Sequence, residues 1–457
     1  MSATIAIEEA HAQTLLDALD LDVESAFVLI CRKEGDGDKS VLLVRDVYVV
    51  DAPHYDLRDA DQMVIRSSGW VPALGRAADD GCGIVFAHTH PDGHARLSDR
   101  DHLVDEEARP VALERTGAGW YASLVLAGTS SAPAVVGELW AANSDSSVPI
   151  TRLRVAGPRR MKVVTGESEL GQLDLDLFSR TILAFGESGQ HLLGLLRVAV
   201  VGLGGTGSAV AELLIRLGVR DILLIDPDHL ERSNITRVLG STPAAVGEPK
   251  ALIAARHART IAPDVSATPV VGSIAEEAIA RQLVDRDLIF GCTDDNSGRL
   301  LLCRYPAHLL VPVIDCGVLL EGDSGTLDSI DMRVSRMGVG SACLQCRGRI
   351  DLKLAAAEEL DPEERARRAG EGYVPGVGGP APAVVAYTTM TASMAIHEMF
   401  DMLFGIRQTE GNETLVLLGE DLIGTSHRNP LPDHFCQTRA QRAAGGGAPF
   451  LGRVWTR

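Results

Sequence analysis

The chain has 457 residues, 46% of them hydrophobic, and its 62 Asp+Glu outnumber its 43 Lys+Arg to give a formal net charge of −19. That length predicts about two to three domains with real cores, and the acidic balance without a long basic block argues against nucleic acid or an anionic membrane as partner. No run is apolar enough to span a bilayer, no signal-peptide layout opens the chain, and eight cysteines scattered through it do not read as a disulfide scaffold, so a reducing cytoplasm is expected.

Residues 1–150 read as a small α/β domain. A helix is expected over 7–19, then strands over 26–31, 41–44, 47–50, 83–88 and 121–128, with the turn-rich segment 34–38 between the first two. Residues 151–172 read as a linker. From 173 to 436 strands alternate with helices: strands at 197–201, 222–226, 288–292 and 313–315, a helix at 208–217 and an amphipathic helix at 392–404. That alternation predicts a mostly parallel sheet with crossover helices. Residues 351–372 are charged and read as a solvated insertion. Residues 437–457, with Gly445, Gly446 and Gly447, read as a flexible tail.

Strand 83–88 runs straight into His88, Thr89, His90 and Pro91, followed by Ser98 and Asp101. Histidines at i and i+2 of a strand point to one side, and Asp101 falls on the first turn of a helix. Two His and one Asp make a three-ligand zinc site with an open position, the form that hydrolysis uses. Ser-x-x-Asp alone is also a helix capping box. The ordered combination resembles the JAMM/MPN isopeptidase family. The resemblance implies zinc on His88, His90 and Asp101, Ser98 as oxyanion stabiliser, and an upstream general base. Glu24, just before strand 26–31, is the candidate base and Glu34 its rival; His94 and His102 read as rim residues.

Gly202, Gly204 and Gly207, with Gly205 between, lie between a strand and a helix. Glycines there permit a tight turn and bring backbone N–H groups near phosphates at a helix N-terminus. Asp226 stands about 20 residues on, where a ribose-binding acid belongs. A dehydrogenase would fit this much equally well. The continuation separates the two: Asn234, Arg237 and Lys250, then Asp294 after Cys292 and Thr293. This order resembles the ThiF/MoeB activating enzymes. The resemblance implies a Rossmann-like adenylation domain in which Asp226 holds the ATP ribose, Asn234, Arg237 and Lys250 contact phosphates, and Asp294 binds Mg2+ beside the reacting carboxylate. Arg180 matches an arginine that reaches the ATP of a partner subunit, which implies a homodimer.

Cys343 and Cys346 have zinc-ligand spacing, and Cys436 with His434 or Asp433 would complete a structural site. Segment 372–382 lacks the cysteine that thioester-forming relatives carry, so adenylation is expected without thioester transfer. Together the two resemblances imply an enzyme that cleaves after the C-terminal glycine of a ubiquitin-like or sulfur-carrier-like protein and adenylates that terminus. Sulfur transfer into a small molecule and a non-catalytic scaffold are the alternatives.

Overall fold

Residues Ala3–Glu8 form strand β1, where the sequence reading begins a helix at residue 7; helix α1 (Glu9–Asp17) starts only after it. The structure, a computed structural model, describes residues 2–166, 174–323, 325–361, 363–365, 367, 382–447 and 449–455. β2 (Ala26–Glu34) follows, and the two expected strands 41–44 and 47–50 are one strand, β3 (Val41–Val49). A bulge keeps it continuous: Ile30 pairs with Asp46 and Cys31 with Val44, leaving Arg45 as the extra residue.

A short hairpin, β4 (Tyr55–Arg58) and β5 (Met63–Ile65), and helix α2 (Val71–Asp79) lead to β6 (Gly83–His90). Helix α3 (Asp99–Thr116) is followed by β7 (Trp120–Thr129), β8 (Ala132–Ala141), β9 (Ser147–Ala156) and β10 (Met161–Thr165). The strand order is β1-β3-β2-β6-β7-β8-β9-β10, and β1 also pairs with β9, which closes the sheet into a barrel. Residues 151–165 of the expected linker are therefore barrel wall, whereas 167–172 lie outside the described residues. Strand alternation sorts β6: Val85 and Ala87 join one buried cluster, while Ile84 and Phe86 pack on the side of α2 and α3. His88 and His90 continue the second row, facing α3.

The second half begins with α4 (Ser179–Leu195), β11 (Arg197–Val201), α5 (Gly205–Arg216), β12 (Asp221–Asp226), α6 (Lys250–Ile261) and β13 (Ser266–Val271). It continues through α7 (Glu277–Ala280), β14 (Leu288–Gly291), α8 (Asn296–Leu302), α9 (Tyr305–Leu309), β15 (Val313–Asp323) and β16 (Thr326–Met337). Last come α10 (Leu352–Glu358), α11 (Val385–Phe404), β17 (Glu413–Leu417) and β18 (Leu422–Ser426). The order β13-β12-β11-β14-β15 is parallel and Rossmann-like; β15 to β18 add an antiparallel extension absent from the sequence reading. The expected solvated insertion contains α10, whose Ala355 and Ala357 are buried and whose Glu358 accepts from Ser297 N of α8 at 2.8 Å. Segment 372–381, with its missing cysteine, lies outside the described residues. Among the described residues, no helix is long and apolar enough to cross a membrane.

The halves share one core, in which Ala6, Val41 and Leu43 of the barrel pack with Ile289, Leu309 and Val313 of the second sheet. On β9, Leu153 and Val155 join the barrel's own cluster, while Arg152 and Arg154, 1% and 0% exposed, enter the interface. Arg152 pairs with Asp287 and donates to Leu195 O at 2.7 Å; Arg154 donates to Leu309 O at 3.0 Å. Burial opposes the charge on Asp287, but the two guanidiniums hold its carboxyl below the usual range.

Far from being flexible, the described part of the tail straps the seam. Arg442 pairs with Glu8 at 2.7 Å, Ala443 N donates to Ala307 O at 2.9 Å, and Phe450 and Leu451 are buried in the shared core. Arg281 lies 4.2 Å from the Phe450 ring centroid.

Candidate functional site

Three sets of polar side chains stand out. At the end of β6, His88 Nε2 lies 3.1 Å from His90 Nε2 and 3.1 Å from Asp101 Oδ1, and His90 Nε2 lies 3.7 Å from Asp101 Oδ2. These donor atoms converge as a metal-binding triad requires. α3 delivers Asp101 because Ser98 caps it. Asp101 N donates to Ser98 Oγ at 3.2 Å, and Asp101 Oδ2 accepts from Ser98 N and Oγ at 2.7 Å each. The capping box and the ligand pattern are thus the same residues, and the Ser98 proton is directed at Asp101.

Burial works against ionising Asp101, yet His88 and Ser98 hold its carboxyl well below the carboxylate range. Burial, then the His88 charge, lower His90 and favour the neutral imidazole that a metal ligand needs. The triad opens on a cleft of about 210 Å³ that Glu24 also lines. Glu24 is 8% exposed, and burial pushes its carboxyl up to about 7. Glu34 is elsewhere: its Oε1 accepts from Gly446 N of the tail at 2.6 Å. His94 supplies its carbonyl to His90 Nδ1 at 3.3 Å, and the half-exposed His102 side chain lies 3.9 Å from Glu138.

The glycine loop lies at the C-terminal ends of β11 and β14, where the strand order reverses and α/β sheets bind ligands. Gly202 has φ 88°, and a Cβ on Gly207 would meet Gly202 O at 1.8 Å, whereas one on Gly204 would meet nothing within 4 Å. The loop is closed on its protein side and open at Gly204, the start of α5. Gly205 packs its Cα against Thr388 of α11. Gly207→Ala is expected to abolish nucleotide binding, since the loop cannot keep this path around a methyl group. Equilibrium dialysis with labelled ATP checks this; unchanged affinity would contradict it.

Asp226 is 4% exposed and accepts from Leu203 N at 2.5 Å and Asp228 N at 2.8 Å, pinning the loop to β12. Burial raises its pKa. Asn234 is buried and accepts from Glu231 N at 3.3 Å; Arg237 donates to Ser233 O at 3.0 Å; Lys250 pairs with Asp228 at 2.9 Å. Asp294 is exposed past the end of β14, beside Asp295, which caps α8 through Gly298 N at 2.6 Å. Arg180 is exposed on α4, and among the described residues no hydrogen bond or ion pair joins it to this loop.

The third set is Cys343, Cys346, His434 and Cys436, whose donor atoms lie within 4.8 Å of one another. Asp433, the other candidate, is outside this group and has φ 57°. His434 Nε2 lies 3.0 Å from Gln345 Oε1, so Nε2–H donates there and Nδ1 keeps its lone pair for the thiols, 3.1 Å from Cys436 Sγ. Hydrogen bonds from Cys303 and Cys436 push the Cys343 thiol down, toward the thiolate that a metal ligand needs. Sequence reasoning missed Gln345, which was legible as the polar residue inside Cys-x-x-Cys. Cys343→Ser is expected to remove one metal equivalent per chain, measured by elemental analysis, while full metal retention would count against a Cys3His site.

A Rossmann-like sheet with a glycine loop at its switch point defines a nucleotide-binding α/β protein. Residues 178–429 match the ThiF family, and the chain belongs to it. It is 33% identical over 164 residues to the SAMP-activating enzyme E1 of Haloferax volcanii, covering 35% of this chain and 60% of that one. It is 30% identical over 187 residues to the molybdopterin-synthase adenylyltransferase of Escherichia coli, covering 40% and 72%. The sulfur carrier protein ThiS adenylyltransferase of Bacillus subtilis is 35% identical over 199 residues, covering 39% and 59%. The chain thus spans about three-fifths of the archaeal and Bacillus relatives. A solved structure of Escherichia coli MccB aligns with 60% of this chain and 78% of its own at TM-score 0.47 and 16% identity.

Proposed function

We propose that this chain adenylates the C-terminus of a ubiquitin-like or sulfur-carrier-like protein and, at a separate JAMM/MPN-type zinc centre, cleaves after that protein's terminal glycine. The observation that carries the first half is the glycine loop pinned by Asp226 within a ThiF-family domain. The relatives' names, which refer to SAMP activation, molybdopterin synthase and ThiS, favour a small carrier as substrate. A carboxylate oxygen of the carrier attacks the α-phosphorus of ATP, and pyrophosphate leaves. Asn234, Arg237 and Lys250 are assigned to the phosphates. Asp294, exposed at the strand end, would hold Mg2+, which would offset the charge that repels the incoming carboxylate. Arg180 is assigned to the nucleotide of a second copy, which makes the working form a homodimer.

The triad of His88, His90 and Asp101 beside a buried Glu24 supports the second half. When bound, zinc supplies the Lewis acidity that amide hydrolysis at neutral pH needs. Glu24 takes the proton of the attacking water and returns it to the leaving amine. Ser98, turned from Asp101, donates to the oxyanion. The Cys343, Cys346, Cys436 and His434 group would hold a structural zinc through four protein donors. The same relatives' names keep a second reading in view, in which the activated terminus receives sulfur.

The test uses the full chain with a ubiquitin-like protein carrying a short extension after its glycine. Intact mass follows trimming, and ATP–pyrophosphate exchange follows activation. Trimming without ATP, with exchange that requires the carrier and Asp294, is the expected result. Trimming without exchange would remove adenylation from the proposal, and exchange without trimming would remove the protease.

A further inference from the structure

The two histidines of the triad are supported unequally. His90 Nδ1 lies 3.3 Å from the His94 carbonyl oxygen, so Nδ1–H donates there and Nε2 keeps its lone pair. His88 also turns Nε2 toward Asp101, but its Nδ1 is buried with no hydrogen-bond partner among the described residues. A neutral imidazole that ligates through Nε2 carries its proton on Nδ1. His88 therefore has a buried donor in need of an acceptor.

One turn beyond Asp101 on α3 stands Asp105, 5% exposed. Its Oδ1 accepts from the Tyr121 hydroxyl at 2.7 Å; its buried Oδ2 has no partner at hydrogen-bond distance among the described residues, and the Ser123 hydroxyl is a second donor that favours the carboxylate. Ser123 and Phe86 are register partners on β7 and β6, and His88 follows two residues later on the same face. Asp105, Ser123 and His88 line one cleft. Burial raises the pKa of Asp105, while the Ser123 and Tyr121 hydroxyls and, after them, His88 favour its carboxylate. Among the described residues, a buried acceptor oxygen and a buried ring nitrogen, neither in a hydrogen bond of normal length, thus line the same cleft.

We propose that Asp105 is the outer carboxylate partner of His88. Its Oδ2 accepts the Nδ1–H bond of His88, directly or across one water, and so fixes the tautomer and ring angle that metal binding requires. Asp105 is a positioning residue; it is outside the group whose donor atoms converge on the ion. The inference rests on reading His88, His90 and Asp101 as a metal centre.

The full chain is titrated with Co2+ against a competing chelator, and the absorption that His88→Ala abolishes is taken as the signal of this centre. Asp105→Asn is expected to weaken Co2+ binding about 10- to 100-fold. Tyr121→Phe, which removes only the bond to Oδ1, is expected to keep wild-type affinity. Equal affinity in Asp105→Asn and wild type overturns the proposal, as does an equal loss in Tyr121→Phe, which marks a structural role. If Asp105→Asn does not fold, the histidine N–H spectrum of the zinc-loaded wild type decides. A slowly exchanging His88 Nδ1–H supports the assignment, and a rapidly exchanging one overturns it. A wild type with no His88-dependent cobalt signal removes the metal-centre reading itself, an outcome distinct from failure of Asp105 alone.

Discussion

Replacing Glu24 by Gln is expected to lower cleavage of the carrier extension by about 100- to 10,000-fold, the range for loss of a general base. Zinc content and ATP–pyrophosphate exchange should stay unchanged, because the adenylation residues belong to the other sheet. The argument is environmental. Glu24 is 8% exposed, and burial raises its carboxyl to about 7. The base form exists above that pKa, so cleavage falls as pH drops through it. A bound cation favours the carboxylate and moves this limb below 7. A profile of kcat/KM against pH, with Glu24→Gln as control, makes the check. Activity retained in the Gln variant would assign the proton transfer to another group.

The largest effect on stability is expected from Arg152→Ala. The change leaves Asp287, which is 0% exposed, without its principal counter-charge. Breaking a buried pair in this way costs about 3–5 kcal/mol. Arg197 N still donates to Asp287 at 2.8 Å, and Arg154 remains nearby, so the lower end is the firmer expectation. The comparison is Arg216→Ala, which removes a half-exposed pair with Glu212 on one helix and should cost about 0.5 kcal/mol or less. Urea unfolding followed by tryptophan fluorescence measures both. Equal midpoints for the two variants would mean that solvent reaches Asp287.

Spacing along the chain carried the sites further than it carried the fold. His-x-His on a strand and Ser-x-x-Asp at a helix start are local geometry, so His88, His90, Ser98 and Asp101 could be placed together before any contact was known. The glycine loop is local in the same sense. β1 was missed because what makes it a strand is parallel pairing with β3 and β9, about 40 and 150 residues away. The linker reading failed for a related reason: Arg152 and Arg154 look like surface charges until Asp287 is brought to them. The tail was judged by its glycines, and Phe450 and Leu451 were overlooked as the apolar pair that anchors it. Asp105 did leave a signal, four residues after Asp101 and so on the same helix face. Its meaning depended on Tyr121, Ser123 and His88 meeting across β6 and β7.

The core shared by the two sheets has a consequence for traffic between their centres. A flexible tether would let one domain swing a bound carrier to the other. Here buried arginines and the tail strap join barrel and Rossmann sheet into one body, so neither centre travels. Any direct hand-over must then be made by the carrier's own terminal segment, which reaches at most about 3.6 Å per residue when extended. If the chain acts as proposed, a carrier whose tail is shorter than the gap would have to dissociate after trimming and rebind before activation. Under that condition the trimmed species accumulates free in solution, and unlabelled carrier added mid-reaction competes for the second step.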